Sequence, residues 1–223
     1  MKDIFVEVDW MKKEIEGRWY ADGSGGKYYV PGFTIEYRMK EGAQNKVIRP
    51  FGKHEIALHI DDGCMGGGTS VPVGSIDPIV YQPRQSGDNN DYEDYLWDGD
   101  SNHNGVIDRA ETGRIGYFTA NREHIFHYCL MAQNLEWDSQ TWGGLANGAY
   151  LGHFSIADAT VINTNQQSRH FMHELGHTIG LPDVGHMGDD YWSSMNEDKR
   201  FYTGYEDNEW DIITNQGGIS SKL

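Results

Sequence analysis

One helical segment in the last third of the chain most constrains what this sequence folds into. Thr164 and Asn165 are good amino-terminal caps, and Pro182 stops the helix that follows them, at about residue 180. At about 100° per residue, His173 and His177 lie one turn apart on one side of this helix. The opposite side is apolar and carries Phe171, Met172, Leu175 and Ile179. The pattern predicts a helix that buries one side in a core and turns its histidine side toward a cleft.

The histidine side has the donors of a metal site. Two imidazoles at this spacing reach one ion, and Glu174 lies about 100° round from His173, beside the ion rather than on it. A catalytic zinc ion takes three protein ligands and keeps one position open. Gly180 can adopt the left-handed conformation that ends a helix, and the turn can bring the carboxylate of Asp183 back toward the ion. His186 is the alternative third ligand.

The extended pattern His173-Glu174-x-x-His177-x-x-Gly180-x-x-Asp183 resembles the zinc motif of metzincin metalloproteases. Most of that clan has a histidine as third ligand, and the snapalysin branch has an aspartate, as here. Met195, in Ser193-Ser194-Met195-Asn196, resembles the Met-turn that lies beneath the metal in these enzymes. The resemblance is specific over about residues 165–197. One departure is Glu197, which stands where many metzincins have a tyrosine.

This resemblance implies a zinc-dependent endopeptidase. Glu174 would take a proton from zinc-bound water and pass it to the leaving amine. The implied fold is α+β, with a twisted mixed sheet, two long helices and a smaller irregular carboxyl-terminal lobe. By the same resemblance, residues 153–158 would be the cleft-edge strand that pairs with an extended peptide substrate.

We expect residues 1–223 to form a single catalytic domain. Its amino-terminal lobe would span residues 1–180, with a calcium-loop insertion near residues 82–111. The carboxyl-terminal lobe, residues 181–223, would hold Asp183 and the Met-turn.

Hydrophobic patterning predicts further elements along the chain. Strands are expected at residues 4–8, 33–38 and 55–60, and glycine-rich loops at residues 62–68 and 143–152. Residues 121–134 are predicted to form a helix with one apolar face, made by Ile125, Tyr128, Cys129 and Ala132. The acidic stretch of residues 206–211 is interpreted as solvated. A glutamate ligand from this stretch, as in gluzincins, is the weaker alternative.

A second ion site is predicted at residues 100–111, which fit the EF-hand calcium loop. Gly105 is at the position of the sharp turn. The expected calcium ligands are the side chains of Asp100, Asn102, Asn104, Asp108 and Glu111 and the backbone carbonyl of Val106. We expect a structural calcium ion at a solitary loop.

The amino-acid composition limits the kinds of partner that this protein is expected to bind. With 34 acidic against 18 basic residues, the net charge is -16, which argues against nucleic-acid binding. No apolar run is long enough to span a membrane. The metzincin resemblance implies a peptide or protein substrate, and we expect the protein to be a monomer. The metzincin resemblance and the calcium loop predict that the protein is secreted, and a cytoplasmic location is the alternative. Cys64 and Cys129 are either two free thiols or one disulfide.

A non-catalytic metal-binding or adhesion module with a metzincin fold is the competing interpretation. The two differ in Glu174, because a binding module has no need of a base beside the metal.

Overall fold

A computed structural model describes residues 2–68, 70–72, 79–80, 122, 125–132, 135–137, 140–146, 152–157, 163–184, 193–196, 203–205, 209–210 and 213. The predicted calcium loop at residues 100–111 lies outside these ranges, as does most of the predicted carboxyl-terminal lobe. Calcium binding and the division into two lobes therefore stay predictions, as do secretion and the monomeric state.

In the described part of the chain, four strands precede the first helix and eight more precede the second. The strands are β1 (Lys2–Ile15), β2 (Arg18–Ala21), β3 (Lys27–Val30), β4 (Phe33–Glu36), β5 (Ile56–Asp61), β6 (Ser70–Pro72), β7 (Ile79–Val80), β8 (Phe126–Ala132), β9 (Leu135–Trp137), β10 (Gln140–Trp142), β11 (Gly144–Ala146) and β12 (His153–Ala157). The helices are α1 (Glu41–Lys53) and α2 (Thr164–Thr178).

Seven of the described strands form one mixed sheet. Its order is β11-β12-β8-β1-β4, and β5 and β6 also pair with β1. The pairs of β1 with β5, β6 and β8, and of β8 with β12, are parallel, whereas β4 and β11 run antiparallel to their neighbours. The expected α+β architecture with a mixed sheet and two helices is confirmed, and so are the strands predicted near residues 4–8, 33–38 and 55–60.

Both helices pack together and contribute to the same core as the sheet. Ile4, Val6 and Val8 of β1 are at most 2% exposed, and they share a hydrophobic cluster with the buried sides of α1 and α2. Helix α1 had no counterpart among the predicted elements. Its buried residues, Ala43, Val47 and Phe51, are spaced four apart, but Pro50 within the helix obscures the pattern.

The predicted helix at residues 121–134 is wrong, because β8 occupies half of that stretch. This strand lies between β1 and β12, and its residues from Tyr128 to Ala132 are all buried. A strand covered on both faces reads as a continuous apolar run, which periodicity alone does not distinguish from a helix.

The region before α2 corrects two further expectations. Residues 153–158 were correctly predicted to form a strand, but β12 is internal, since it pairs with β8 and β11 and all five of its residues are buried. Among the described strands, β11 forms this end of the sheet. It lies within the stretch that was predicted to be a glycine-rich loop. The strand was missed because Gly143 and Gly144 have no side chains, so the alternation that indicates a strand is absent there.

The two cysteines are free thiols. Cys129 is buried in β8, whereas Cys64 is exposed in the loop of residues 62–68. The disulfide interpretation is therefore wrong for this structure. Neither described helix is long and apolar enough to cross a membrane.

Candidate metal centre

Helix α2 is amphipathic as its sequence predicts. Phe171, Met172 and Leu175 are fully buried in the core, while His173 and His177 are partly exposed on the other side. The amino-terminal cap is Asn163, one residue before the predicted caps. Its side chain accepts hydrogen bonds from the backbone N–H groups of Asn165 and Gln166, at 2.9 and 3.1 Å.

Backbone carbonyls determine the tautomer of both histidines. His173 donates from Nδ1 to the carbonyl oxygen of Ser194 at 2.9 Å, and His177 donates from Nδ1 to that of Leu181 at 3.0 Å. In a neutral imidazole whose Nδ1 carries the proton, Nε2 keeps a free lone pair. Both rings therefore present Nε2 as a metal ligand, held by the kind of outer hydrogen bond that orients ligating histidines.

The three predicted ligands converge. The two Nε2 atoms of His173 and His177 are 3.2 Å apart, and Oδ1 of Asp183 lies 3.3 and 3.4 Å from them. In a tetrahedral zinc site with bonds of about 2.0–2.1 Å, neighbouring ligand atoms are about 3.3 Å apart. The donor atoms and their separations thus fit three vertices of a zinc tetrahedron. Within the described residues, this is the group of side chains that is suited to hold a metal ion.

The end of α2 brings Asp183 to the histidines. Gly180 has a φ of 95°, the left-handed conformation predicted for it. The N–H of Leu181 donates to the carbonyl of Gly176 at 2.9 Å and the N–H of Gly180 to that of His177 at 3.1 Å, which is a Schellman motif. The same turn directs the Leu181 carbonyl at His177. The alternative ligand His186 lies outside the described residues.

Charges within the cluster are coupled. Burial acts to lower the pKa of His173, but the hydrogen bond to Asp183 and the nearby Glu174 outweigh it, so the pKa is raised. The hydrogen bond to His173 lowers the pKa of Asp183, and burial together with His173 lowers the pKa of His177. Without a metal, the Asp183 carboxylate and Glu174 therefore favour a proton on His173. A metal ion competes with that proton, so its affinity depends on pH.

Glu174 is a buried carboxyl group beside the ligands. It is 6% exposed, and burial raises its pKa to about 7. Its side chain faces β11, where it lies against Gly144. A carboxyl group whose pKa is near neutrality is suited to both accepting and donating a proton.

The turn containing Met195 lies beneath α2. Met195 is fully buried, and its sulfur packs so close to Gly176 that a methyl group there would be 2.6 Å from it. The Ser193 hydroxyl donates to Oε2 of Glu209 at 2.6 Å and accepts from the N–H of Met195 at 3.0 Å. This turn supports the metal centre directly, because its Ser194 carbonyl orients His173.

The interpretation of residues 206–211 as a solvated stretch is wrong for the two of these residues that the structure describes. Glu209 and Trp210 are 3% and 4% exposed. Nor does Glu209 belong to the ligand group, which leaves the gluzincin alternative without support among the described residues. The missed signal is the apolar pair Trp210 and Ile213, which anchors this segment in the core.

His170 lies on the ligand side of α2, one turn before Glu174, and is not a member of the ligand group. Burial lowers its pKa to about 4, so it is neutral at physiological pH. Its ring packs against Gly143.

Comparison with known proteins adds little to this description. No protein-family model matches the chain, and no curated protein matches it. Among solved structures, the chain is similar to archaemetzincin from Methanopyrus kandleri, with 12% sequence identity and a TM-score of 0.44. The match covers 96% of this chain and 94% of that one. A likeness this distant assigns neither a family nor an activity, and the snapalysin-like interpretation stays a prediction.

Proposed function

We propose that this protein is a zinc-dependent endopeptidase in which His173, His177 and Asp183 hold the metal ion and Glu174 is the general base. The observation that carries the proposal is the convergence of three donor atoms, 3.2–3.4 Å apart, beside a buried carboxyl group. Three protein ligands leave one position of a tetrahedral ion open, which is typical of catalytic rather than structural zinc.

The chemistry divides between the ion and the chain. A bound zinc ion would act as a Lewis acid on the substrate carbonyl and make the attacking water more acidic. Glu174 takes a proton from that water and delivers it to the leaving amine. In the metal-free chain burial raises the pKa of Glu174 to about 7, toward the range in which a carboxyl group can both accept and donate a proton.

The substrate is a polypeptide bound in extended form along β11. Among the described strands, β11 pairs only with β12, and its other edge is where we propose that main-chain groups pair with a peptide. This strand takes the place that was expected for residues 153–158. Because Gly144 of β11 lies against Glu174, a peptide on this edge passes the base.

A metal-binding module without activity is the competing function, and Glu174 is what argues against it. Burying an ionisable carboxyl group costs stability. A module that only binds metal gains nothing from one at this place.

The test is cleavage of unfolded casein by three zinc-loaded proteins, which are the wild type, Glu174→Gln and the control Glu16→Gln. The control replaces an exposed glutamate that is far from Glu174 in the sequence. Zinc content is measured for each. We expect one zinc ion in all three proteins, cleavage by the wild type and the control, and a loss of about 10²–10⁴-fold in Glu174→Gln. A wild type that holds zinc and cleaves nothing would overturn the peptidase proposal in favour of the metal-binding module.

A further inference from the structure

Helix α2 packs against the start of strand β11, and the residues that face the helix there are glycines. Gly143 and Gly144 lie opposite His170 and Glu174, which are one turn apart on α2. A methyl group on Gly144 would lie 2.6 Å from both Cγ and Oε1 of Glu174 and 2.9 Å from its Cδ. Contacts of carbon at such distances are repulsive, so one of the two groups has to move.

The backbone gives no other reason for glycine at position 144. Gly144 is a strand residue and has no positive φ, unlike Gly152 and Gly180. An alanine there is compatible with the conformation of the main chain. The space taken by the Glu174 side chain is therefore what excludes a larger residue.

Resting on the function proposed above, we propose that Gly144 is a positioning residue for Glu174. Its missing side chain allows the buried carboxyl group to lie against the strand that the substrate pairs with. The carboxyl group is thereby held at a defined distance from a peptide bond on β11. A methyl group at this position would push the carboxyl group away from the strand.

Kinetics of Gly144→Ala test this role. We expect kcat for a peptide substrate to fall by about 10²-fold, because misplacing a reacting group by about 1 Å has an effect of this size. KM and the content of one zinc ion per chain stay unchanged, since neither the edge of β11 nor the three ligands are altered. A fall in kcat of less than threefold, or a loss of zinc, overturns the proposal.

Two matched glycines separate this effect from general damage. Gly52→Ala adds the same methyl group on α1, where nothing lies within 4 Å, and is expected to keep full kcat. Gly143→Ala adds it to the neighbouring residue, against the His170 ring. If Gly143→Ala lowers kcat as much as Gly144→Ala does, displacement of the strand rather than of Glu174 explains the loss, and the proposal fails.

A stability cycle tests the contact without using activity. Gly144→Ala should lower Tm when Glu174 is present and should lower it by much less in a Glu174→Ala background, because truncation removes Cγ and the carboxyl group. Equal shifts in both backgrounds overturn the contact. If the wild type proves to have no peptidase activity, this cycle still reports on the contact, so the two proposals fail separately.

Discussion

Replacing Ser193 by alanine tests whether the turn under α2 holds the metal centre in place. The Ser193 hydroxyl is buried and joins two groups, the Glu209 carboxylate at 2.6 Å and the N–H of Met195 at 3.0 Å. Both hydrogen bonds are lost in the variant, and the space of one oxygen atom is left empty.

The expected cost follows from these two bonds. A hydrogen bond to a charged group contributes about 1.5–3 kcal/mol and a neutral one about 1 kcal/mol. Ser193→Ala should therefore lower the free energy of unfolding by about 3 kcal/mol. For a chain of this length, that corresponds to a fall in Tm of about 6–12 °C. Zinc affinity should fall by about tenfold, because the loosened turn carries the carbonyl that orients His173.

The adjacent serine is the control. The Ser194 hydroxyl makes one neutral hydrogen bond, to the carbonyl of Gly204 at 2.8 Å, so Ser194→Ala should lower Tm by only about 2–4 °C. Both variants are measured by thermal unfolding of the metal-free protein and by zinc titration. Equal Tm shifts in the two variants would refute the argument that the bond to Glu209 dominates.

Two further predictions concern stability. Burial raises the pKa of Glu7 to about 7 despite the adjacent Arg122, so the folded state binds the proton more tightly than the unfolded chain. The free energy of unfolding should therefore fall as pH rises from about 4.5 to 7, with about 3 kcal/mol of the fall from this group. In Glu7→Gln this share should be lost, while the share from the buried Glu174 remains. Parallel pH curves for the two proteins would contradict this. Asn163→Ala removes the capping hydrogen bonds of α2 and should lower the free energy of unfolding, measured with denaturant, by about 1–2 kcal/mol. Thr164→Ala, at the next residue, should lower it by less. Equal losses in the two variants would show that the cap is not at Asn163.

Local chemistry explains why α2 and its ligands were predictable. The positions of His173 and His177 follow from the helical repeat, and Gly180 has the conformation that its lack of a side chain permits. Each of these inferences uses only residues within a few turns of one another. The approach of Asp183 depends on the same short turn, so its spacing in the sequence was informative.

Strand pairing was harder to predict from the sequence. β8 was taken for a helix because its buried run has no period of two, and only its position between β1 and β12 explains that. The edge of the sheet was assigned to the wrong strand for a related reason. Which of two neighbouring strands is outermost depends on partners far along the chain.

The sequence by itself determined the helix, its two histidines, the glutamate between them and the glycine that ends it, since these follow from backbone geometry over short distances. Only the tertiary structure decided which carbonyls hold the imidazoles, that Glu209 is buried under the Met195 turn and that Gly144 lies against Glu174. Apart from the bond between His177 and Leu181, which are four residues apart, those contacts join residues 16 to 30 positions apart, and their energies depend on burial that no local pattern records.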